Sequence, residues 1–515
     1  MNNKIRDTLL FFICFALVFN NIPTGVQMNF LGGPVGNKLA FYPLFLGFIF
    51  TAYYQWKYKN ILIDLRKFSQ YIFLYVFFIL ISLLIGVFNY PYWNEVFAGP
   101  ITQIEKVYRI VIFCRNYGID VNVEFMTVFW IIASSIKGVL FETIWCFGSS
   151  YMFYCWYRDN WRRGLNIACL GVFVSTLIFI VYGIVDACFL AGNVTAKKIL
   201  ITLNPYLHPI ESENGWWPPL LWNGQIRSVF PEPSHIGNFL AVILPISFFK
   251  YLKSGNKWIL LMSCILSFLV VLSKARTAYA MLLGIIFLIL IICLEDFKTN
   301  RKKIATMLSV IIVGFFSGVY YLNVVNVHKN ETYSNKQYTI GTVLDDNLFS
   351  LLSADKRSNG ARYALIKTNL RIARKYPLLG VGKGLGKAYM IENYTEYEKS
   401  NIEVAMWIRN TKEYGIFAGG QGIGCAMNEF VTRLSNTGIL GLLIYILPFV
   451  IAIYNLFIIS IKENNIESKL LIVILIGTLV SGCNGSVNII YSIWIFLGIS
   501  FALIYGRGVP INDGN

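Results

Sequence analysis

Apolar stretches of about 16 to 25 residues recur along the chain, and most of the intervals between them are short and polar. Each stretch is long enough, or nearly so, to cross a hydrocarbon core of about 30 Å as a helix. The pattern predicts about twelve spans, at approximately 7–22, 39–54, 68–88, 127–156, 164–191, 235–252, 258–273, 277–294, 304–323, 434–460, 470–482 and 487–505. One of them, 127–156, carries Lys137 and Glu142 inside its apolar run. Charges there are costly unless they face protein or water. Either they pair with each other at i, i+5 or with other partners in the helix array, or they line a substrate path.

Lysine and arginine gather in the short intervals Lys57–Lys67, Tyr157–Arg163, Lys250–Lys257 and Glu295–Lys303, all on the side of Lys4 and Arg6. Positive charge marks the cytoplasmic face, so both termini are expected there. The first apolar run lacks a small-residue cleavage site and is followed by further spans. It reads as a transmembrane helix rather than a signal peptide. The opposite side receives four sizeable segments, of which 324–433 is far too long for a structureless connection. The expected organisation is a membrane domain over 1–323 with about nine helices, a mostly helical extracytoplasmic loop or lid over 324–433, and C-terminal transmembrane helices over 434–515.

Composition agrees with this all-α polytopic reading, since 56% of the 515 residues are hydrophobic and only 14% are charged. The formal charge of +17 would suit a nucleic-acid partner, yet it is spread over both faces of the helix array, which such a binder has no reason to do. The long loop holds about fifteen Lys and Arg against about ten Asp and Glu, which suggests an anionic ligand on that side or a solvated face near lipid headgroups. Most of the ten cysteines fall within spans as small apolar residues, while Cys114 and Cys425 could form an external disulfide. Three histidines without ligand spacing give no metal site, and no cofactor is expected. The run "GVGKGLGK" at 380–387 lacks the spacing and the strand–turn–helix context of a nucleotide loop. Its glycines read as a turn or close-approach loop.

Candidate chemistry sits at the external ends of helices. "RSVFPEPSH" puts Arg227, Glu232 and His235 at the mouth of the span beginning near 235. Pro233 suits a first helical turn and Glu232 its positive end, but a helix start explains neither Arg227 nor His235. "SKARTA" adds Arg276 in the turn between two spans, and "SNGARYAL" adds Arg362. Arginine grips phosphate oxygens through two parallel hydrogen bonds, so three arginines from separate segments could converge on one anion. Trp216, Trp217 and Trp222, just before the first motif, either anchor the interface or stack on sugar rings.

These motifs, followed by "GARYALIKTNLRIARKYPLLGVGKG" and "AMNEFVTRLSNTGILGLL", resemble in order and topology the O-antigen polymerase and ligase superfamily. The arginine and EPS of the first motif resemble Wzy-type O-antigen polymerases more than ligases. The likeness covers about 220–450. It implies a glycosyltransferase of GT-C type in the bacterial inner membrane, polymerising undecaprenyl-diphosphate-linked oligosaccharide repeats on the outer face without a metal. That lipid-linked oligosaccharide would be both donor and acceptor, with membrane lipid around it and a chain-length regulator as a partner. Arg227, Arg362 and Arg276 would hold the diphosphate. Related ligases carry a histidine just before the asparagine matched by Asn428, where this chain has Met427. An acid then becomes the expected base, with Glu232 ahead of Glu429 and His235, unless Glu232 instead orients Arg227. Asn428, Trp217 and Trp222 would contact sugar or acceptor. The alternatives are a ligase and, from another class, a flippase for lipid-linked oligosaccharide.

Overall fold

A computed structural model describes residues 3–28, 33–59, 61–208, 224–329, 341, 342, 345, 357–419, 427–488 and 490–506. Its principal helices begin with α1 (Asn3–Phe15), α2 (Phe41–Tyr58), α3 (Leu65–Phe88), α4 (Val123–Tyr157) and α5 (Trp161–Leu190). They continue with α6 (His235–Ser254), α7 (Lys257–Ser273), α8 (Arg276–Ile292) and α9 (Phe297–Lys329). The last are α10 (Arg357–Lys375), α11 (Glu429–Glu463), α12 (Ile466–Ser481) and α13 (Ser492–Tyr505). A helix stands at or across each of the twelve stretches expected from hydropathy. Among the described residues, seven helices are long and apolar enough to cross a membrane: α3, α4, α5, α6, Thr299–Val325 of α9, α11, and Ile466–Asn484 including α12. The chain is a polytopic, all-helical membrane protein, and no strand occurs among the described residues.

The centre of the array is α6. Its sequence is apolar around the whole circumference, which calls for neighbours on every side. It packs against α5, α7, α8, α9 and α12. At one end of the array lie the N-terminal residues and the basic intervals: Arg163 pairs with Asp7 at 2.5 Å, Lys253 with Glu467 at 2.7 Å, and Lys469 with Asp296 at 2.8 Å. Toward the other end a second hydrophobic cluster forms, with Ala361, Leu365 and Ile372 of α10, Tyr389 of the short helix Gly386–Asn393, and Val404 of the helix Ile402–Tyr414. Tyr90 and Val96, from the interval between α3 and α4, complete it.

Two departures from regular helix shape this end. Within α4 the residues Glu142–Gly148 are π-helical, a local widening that often accompanies function. In α11, Gly438 has φ +66°, breaking the helix. The backbone groups freed by the break are taken up by the stretch after α10. Val381 N donates to Ser435 O at 3.0 Å and Gly382 N to Asn436 O at 2.9 Å, while Ile439 N donates to Pro377 O at 2.8 Å. Irregular backbone inside a helix array is tolerable when protein satisfies it in this way. Gly380, Gly382 and Gly384 all have positive φ, and a Cβ on Gly380 would lie 2.4 Å from the Asn436 carbonyl carbon. The glycine run is thus a close-approach loop, sewn to the break in α11.

Candidate active site

The motif around Pro233 and the motif around Arg276 meet at adjacent helix mouths. Thr277 Oγ1 donates to Ser234 O at 3.2 Å, and Gly237 lets the α6 backbone come against Thr277. Arg276, the first residue of α8, then reaches up to α10, where Nη1 donates to Asn359 Oδ1 at 2.6 Å. Arg362 lies one helical turn further along α10, on the same face as Asn359. Its Nη1 donates to Asn484 Oδ1 at 3.2 Å. Burial and the neighbouring Arg276 guanidinium push Arg362 below its ordinary range, while Glu403 and Glu232 act in the opposite sense. Two guanidiniums are therefore held close to each other and to Glu232, each hydrogen-bonded to a neutral amide oxygen. Ser234 Oγ donates to Glu232 Oε2 at 3.2 Å. His235, at the start of α6, faces the charges of Glu232 and Lys38 and shares a small cavity wall with Lys38 and Asn238.

Arg227 is placed differently. Its backbone and that of Ser228, which has φ +53°, donate to Asp186 Oδ2 at 3.2 and 2.7 Å. A non-glycine residue in that region needs support, and the buried carboxylate supplies it. The Arg227 side chain is buried and turns back on its own segment, with Nη1 donating to Pro231 O at 3.3 Å. Burial lowers its guanidinium below the usual range, against the opposing effects of Asp186 and Tyr182. Beside it, the buried His208 imidazole is pushed down to about 3, first by burial and then by the Arg227 charge. Of the three arginines, the structure brings Arg276 and Arg362 together, and uses Arg227 to brace the turn that leads into Glu232.

A second polar centre was only partly visible in the sequence. Glu142, at the π-helical stretch of α4, accepts from four partners on four separate elements. Arg433 Nη2 of α11 and Asn488 Nδ2 donate to Oε1 at 2.7 and 2.9 Å. Lys383 Nζ of the glycine run donates to Oε2 at 2.7 Å, and the Tyr75 hydroxyl of α3 donates to the same oxygen. Arg433 also pairs with Glu429 at 2.6 Å and lies 3.5 Å over the Tyr445 ring. Lys137, five residues before Glu142, sits about 140° around the helix from it and is exposed on another face. Of the sequence alternatives for Glu142, the structure selects pairing with distant partners. It also puts Glu142 and Glu429 on the wall of a polar cavity of about 360 Å³, together with Lys383, Arg433, Asn436 and Asn488.

The two centres are joined by the segment between α12 and α13: Asn484 accepts from Arg362, and Asn488, four residues on, donates to Glu142. Glu429 belongs to the second centre, and Asn428 caps α11 by accepting from Val431 N at 3.1 Å. Trp216, Trp217 and Trp222, and the Cys425 of the expected disulfide, lie outside the described residues. Among the described residues no cluster of three or more His, Cys, Asp or Glu could hold a metal ion. Asp186, Arg433, Lys383, Asn484 and Asn488 were missed by sequence reasoning. For Asp186 a signal existed, because it is an acid inside the expected span 164–191.

Residues 259–446 match the model of a family described as O-antigen ligase. No curated protein matches the chain. The matched stretch opens in α7, takes in Arg276, Arg362, Lys383, Glu429 and Arg433, and closes within α11. It supports the O-antigen ligase and polymerase superfamily, and with it enzymes of surface-polysaccharide biosynthesis that act on lipid-linked glycans. The Arg227, Glu232 and His235 segment precedes the match, and Asn484 and Asn488 follow it.

Proposed function

We propose, from the superfamily match and the site beside Arg276, that this chain is a Wzy-type polymerase of surface polysaccharide. It works as a glycosyltransferase of GT-C type with about twelve crossings, in the bacterial inner membrane, with termini in the cytoplasm and the site on the outer face. Its domains follow the division at about 323 and 433. The observation that carries the reading is the convergence of Arg276 and Arg362 on one spot beside Glu232, with neutral amides as their partners. Two adjacent guanidiniums, each hydrogen-bonded to a neutral amide at the mouth of an apolar helix array, suit a diphosphate whose lipid tail lies in the membrane.

In the proposed reaction an acceptor sugar hydroxyl attacks the anomeric carbon of the lipid-linked donor. A new glycosidic bond forms as the bond to undecaprenyl diphosphate breaks. The hydroxyl proton passes to Glu232, and Arg276 and Arg362 hold the charge that develops on the departing diphosphate. Arg227 positions Glu232 through the turn at Pro231. Glu429, tied to Arg433, is the second candidate base, and His235 the third. A chain-length regulator is the expected protein partner.

The test is glycan laddering in a deletion strain complemented with wild type, Arg362→Ala, Arg276→Ala or Glu232→Gln at equal membrane expression. Long chains with wild type and single repeats with all three variants support polymerisation at this site. Normal ladders with the variants refute the site. Wild type that only attaches preformed chains indicates a ligase, and stranding of lipid-linked units on the inner side indicates a flippase.

A further inference from the structure

Beyond the reacting centre, α4 carries a feature that the reaction does not use. Its residues Trp130, Ser134 and Lys137 line a groove of about 870 Å³, closed on the other side by Gln103, Lys106 and Tyr414. That is near the upper end of the range for ligand sites. Ser134 also lines the cavity that holds Glu142 and Glu429, so the groove and the cavity neighbour each other along one helix. From Trp130 to Glu142 the helix rises about 18 Å, room for several sugar rings in a row.

The walls have the chemistry of a glycan site. Trp130 offers an aromatic face, and Lys106 Nζ lies 5.2 Å from its ring centroid. Lys137 is exposed and has no ion pair among the described residues. Glu105 at the rim pairs with Arg109, so the cations on the groove are not neutralised by it. Gln103 is 7% exposed, and its Nε2 donates to Val96 O at 2.8 Å, which fixes the orientation of the amide. Its Oε1 is buried with no hydrogen-bond partner. The amide packs between Gly99 and Gly415, so it braces this wall of the groove. An aromatic face, with Lys106 over its ring and the exposed Lys137 beside it, suits a sugar chain with acidic substituents.

We infer that the groove along α4 binds the glycan portion of the substrate, as an oligosaccharide carrying carboxylates, and leads it into the cavity at Glu142 and Glu429. The inference rests on the polymerase reading and adds the place and the class of the sugar it holds. The experiment uses the full-length protein in lipid nanodiscs, with labelled hexagalacturonate as an acidic probe and maltohexaose as a neutral one, both read by microscale thermophoresis. The expected result is binding of hexagalacturonate at least fivefold tighter than maltohexaose. Trp130→Ala weakens it about tenfold, and Trp130→Phe restores most of it. Lys137→Gln, at an exposed position that tolerates the change, abolishes the preference for acid, while Lys302→Gln at the opposite end changes nothing. No binding by wild type, or binding that Trp130→Ala leaves unmoved, overturns the proposal. Binding in phosphatidylcholine discs that disappears when phosphatidylglycerol is added assigns the groove to lipid headgroups and overturns it as well. Cellular ladders separate the two readings: intact wild-type ladders without groove binding refute the groove alone, and groove binding without ladders supports the groove and refutes the polymerase.

Discussion

Glu142 is the residue on which most separate parts of the helix array converge, so its removal is the sharpest test of how the array is held. In Glu142→Gln the carboxylate that accepts from Arg433, Asn488, Lys383 and Tyr75 becomes an amide. The wild-type cluster balances Glu142 and Glu429 against Arg433 and Lys383, and the variant leaves one uncompensated positive charge. Whichever way the amide turns, its NH2 faces donors. Breaking a buried pair typically costs about 3–5 kcal/mol. Arg433 keeps Glu429 at 2.6 Å, and Lys383 has a side chain 20% exposed, so water relieves part of the loss. The expected cost is about 3 kcal/mol, the lower end of that range. Lys383→Met leaves one uncompensated negative charge, but Glu142 keeps three of its four partners, Arg433 among them, so the cost should be about 2 kcal/mol. The double variant restores charge balance, so it should be about as stable as Lys383→Met alone, a coupling of about 3 kcal/mol. Equilibrium unfolding in mixed micelles titrated with SDS measures all four proteins. Additive losses, or a Glu142→Gln protein within about 0.5 kcal/mol of wild type, would refute the buried network.

Three further outcomes follow. Arg362→Ala should slow chain extension by about 10²–10³, and Arg362→Lys should recover only part, because an ammonium lacks the forked geometry; radiolabelled repeat incorporation in membranes measures both. Gly438→Ala puts a Cβ 2.1 Å from Leu378 O at φ +66° and should cost more than about 3 kcal/mol, seen as lost monodisperse protein by size exclusion. Gly284→Ala, with nothing within 4 Å, is its control and should be neutral or slightly stabilising. His208 is pushed down to about 3 from 6.5 in the folded protein, so below pH 6.5 the unfolded chain takes up a proton that the folded chain refuses. Stability should fall as pH drops from 6.5 towards 3, by at most about 1.4 kcal/mol per unit, and His208→Gln should flatten that slope in thermal unfolding at pH 7, 6, 5 and 4.

The helix array was legible because it is written in hydropathy, which needs only local sequence. The adjacency of the Pro233 and Arg276 motifs was also legible in part, since they sit at the same end of consecutive spans. Hydropathy carries no information on side-chain direction, and so it could not tell that Arg227 turns inward to Pro231 while Arg276 and Arg362 converge. Glu142 was conspicuous as an acid inside an apolar run. Its partners were not, because Lys383 and Arg433 lie 241 and 291 residues away and Asn488 lies 346 away. The glycines of 380–386 were readable as a close-approach loop from their spacing. What they approach, the break at Gly438, depends on a single φ value that no composition window records.

Many groups of the two polar centres are presented by backbone that has left the helix, or lie beside such backbone; Arg362, inside α10, is an exception. Glu232 follows the braced turn at Ser228, Arg276 follows Lys274 with φ +47°, and Asn484 and Asn488 belong to the interval after α12. Lys383 stands between two glycines of positive φ, and Glu142 starts a π-helical stretch. A regular helix points its side chains outward from its own axis, so a bundle of straight helices has difficulty aiming five of them at one another at close range. Irregular backbone solves that geometric problem but frees polar groups that an apolar array cannot leave bare. The chain meets that demand with its own polar groups: Asp186 under Ser228, and the carbonyls of Ser435 and Asn436 for the glycine run. These supports tie α5 and α11 to the site from outside it. Substitutions that loosen them should therefore misplace Glu232 or Lys383 without touching either, and Asp186→Asn, which weakens the hold on the Ser228 turn, should lower chain extension while leaving the Glu142 network intact.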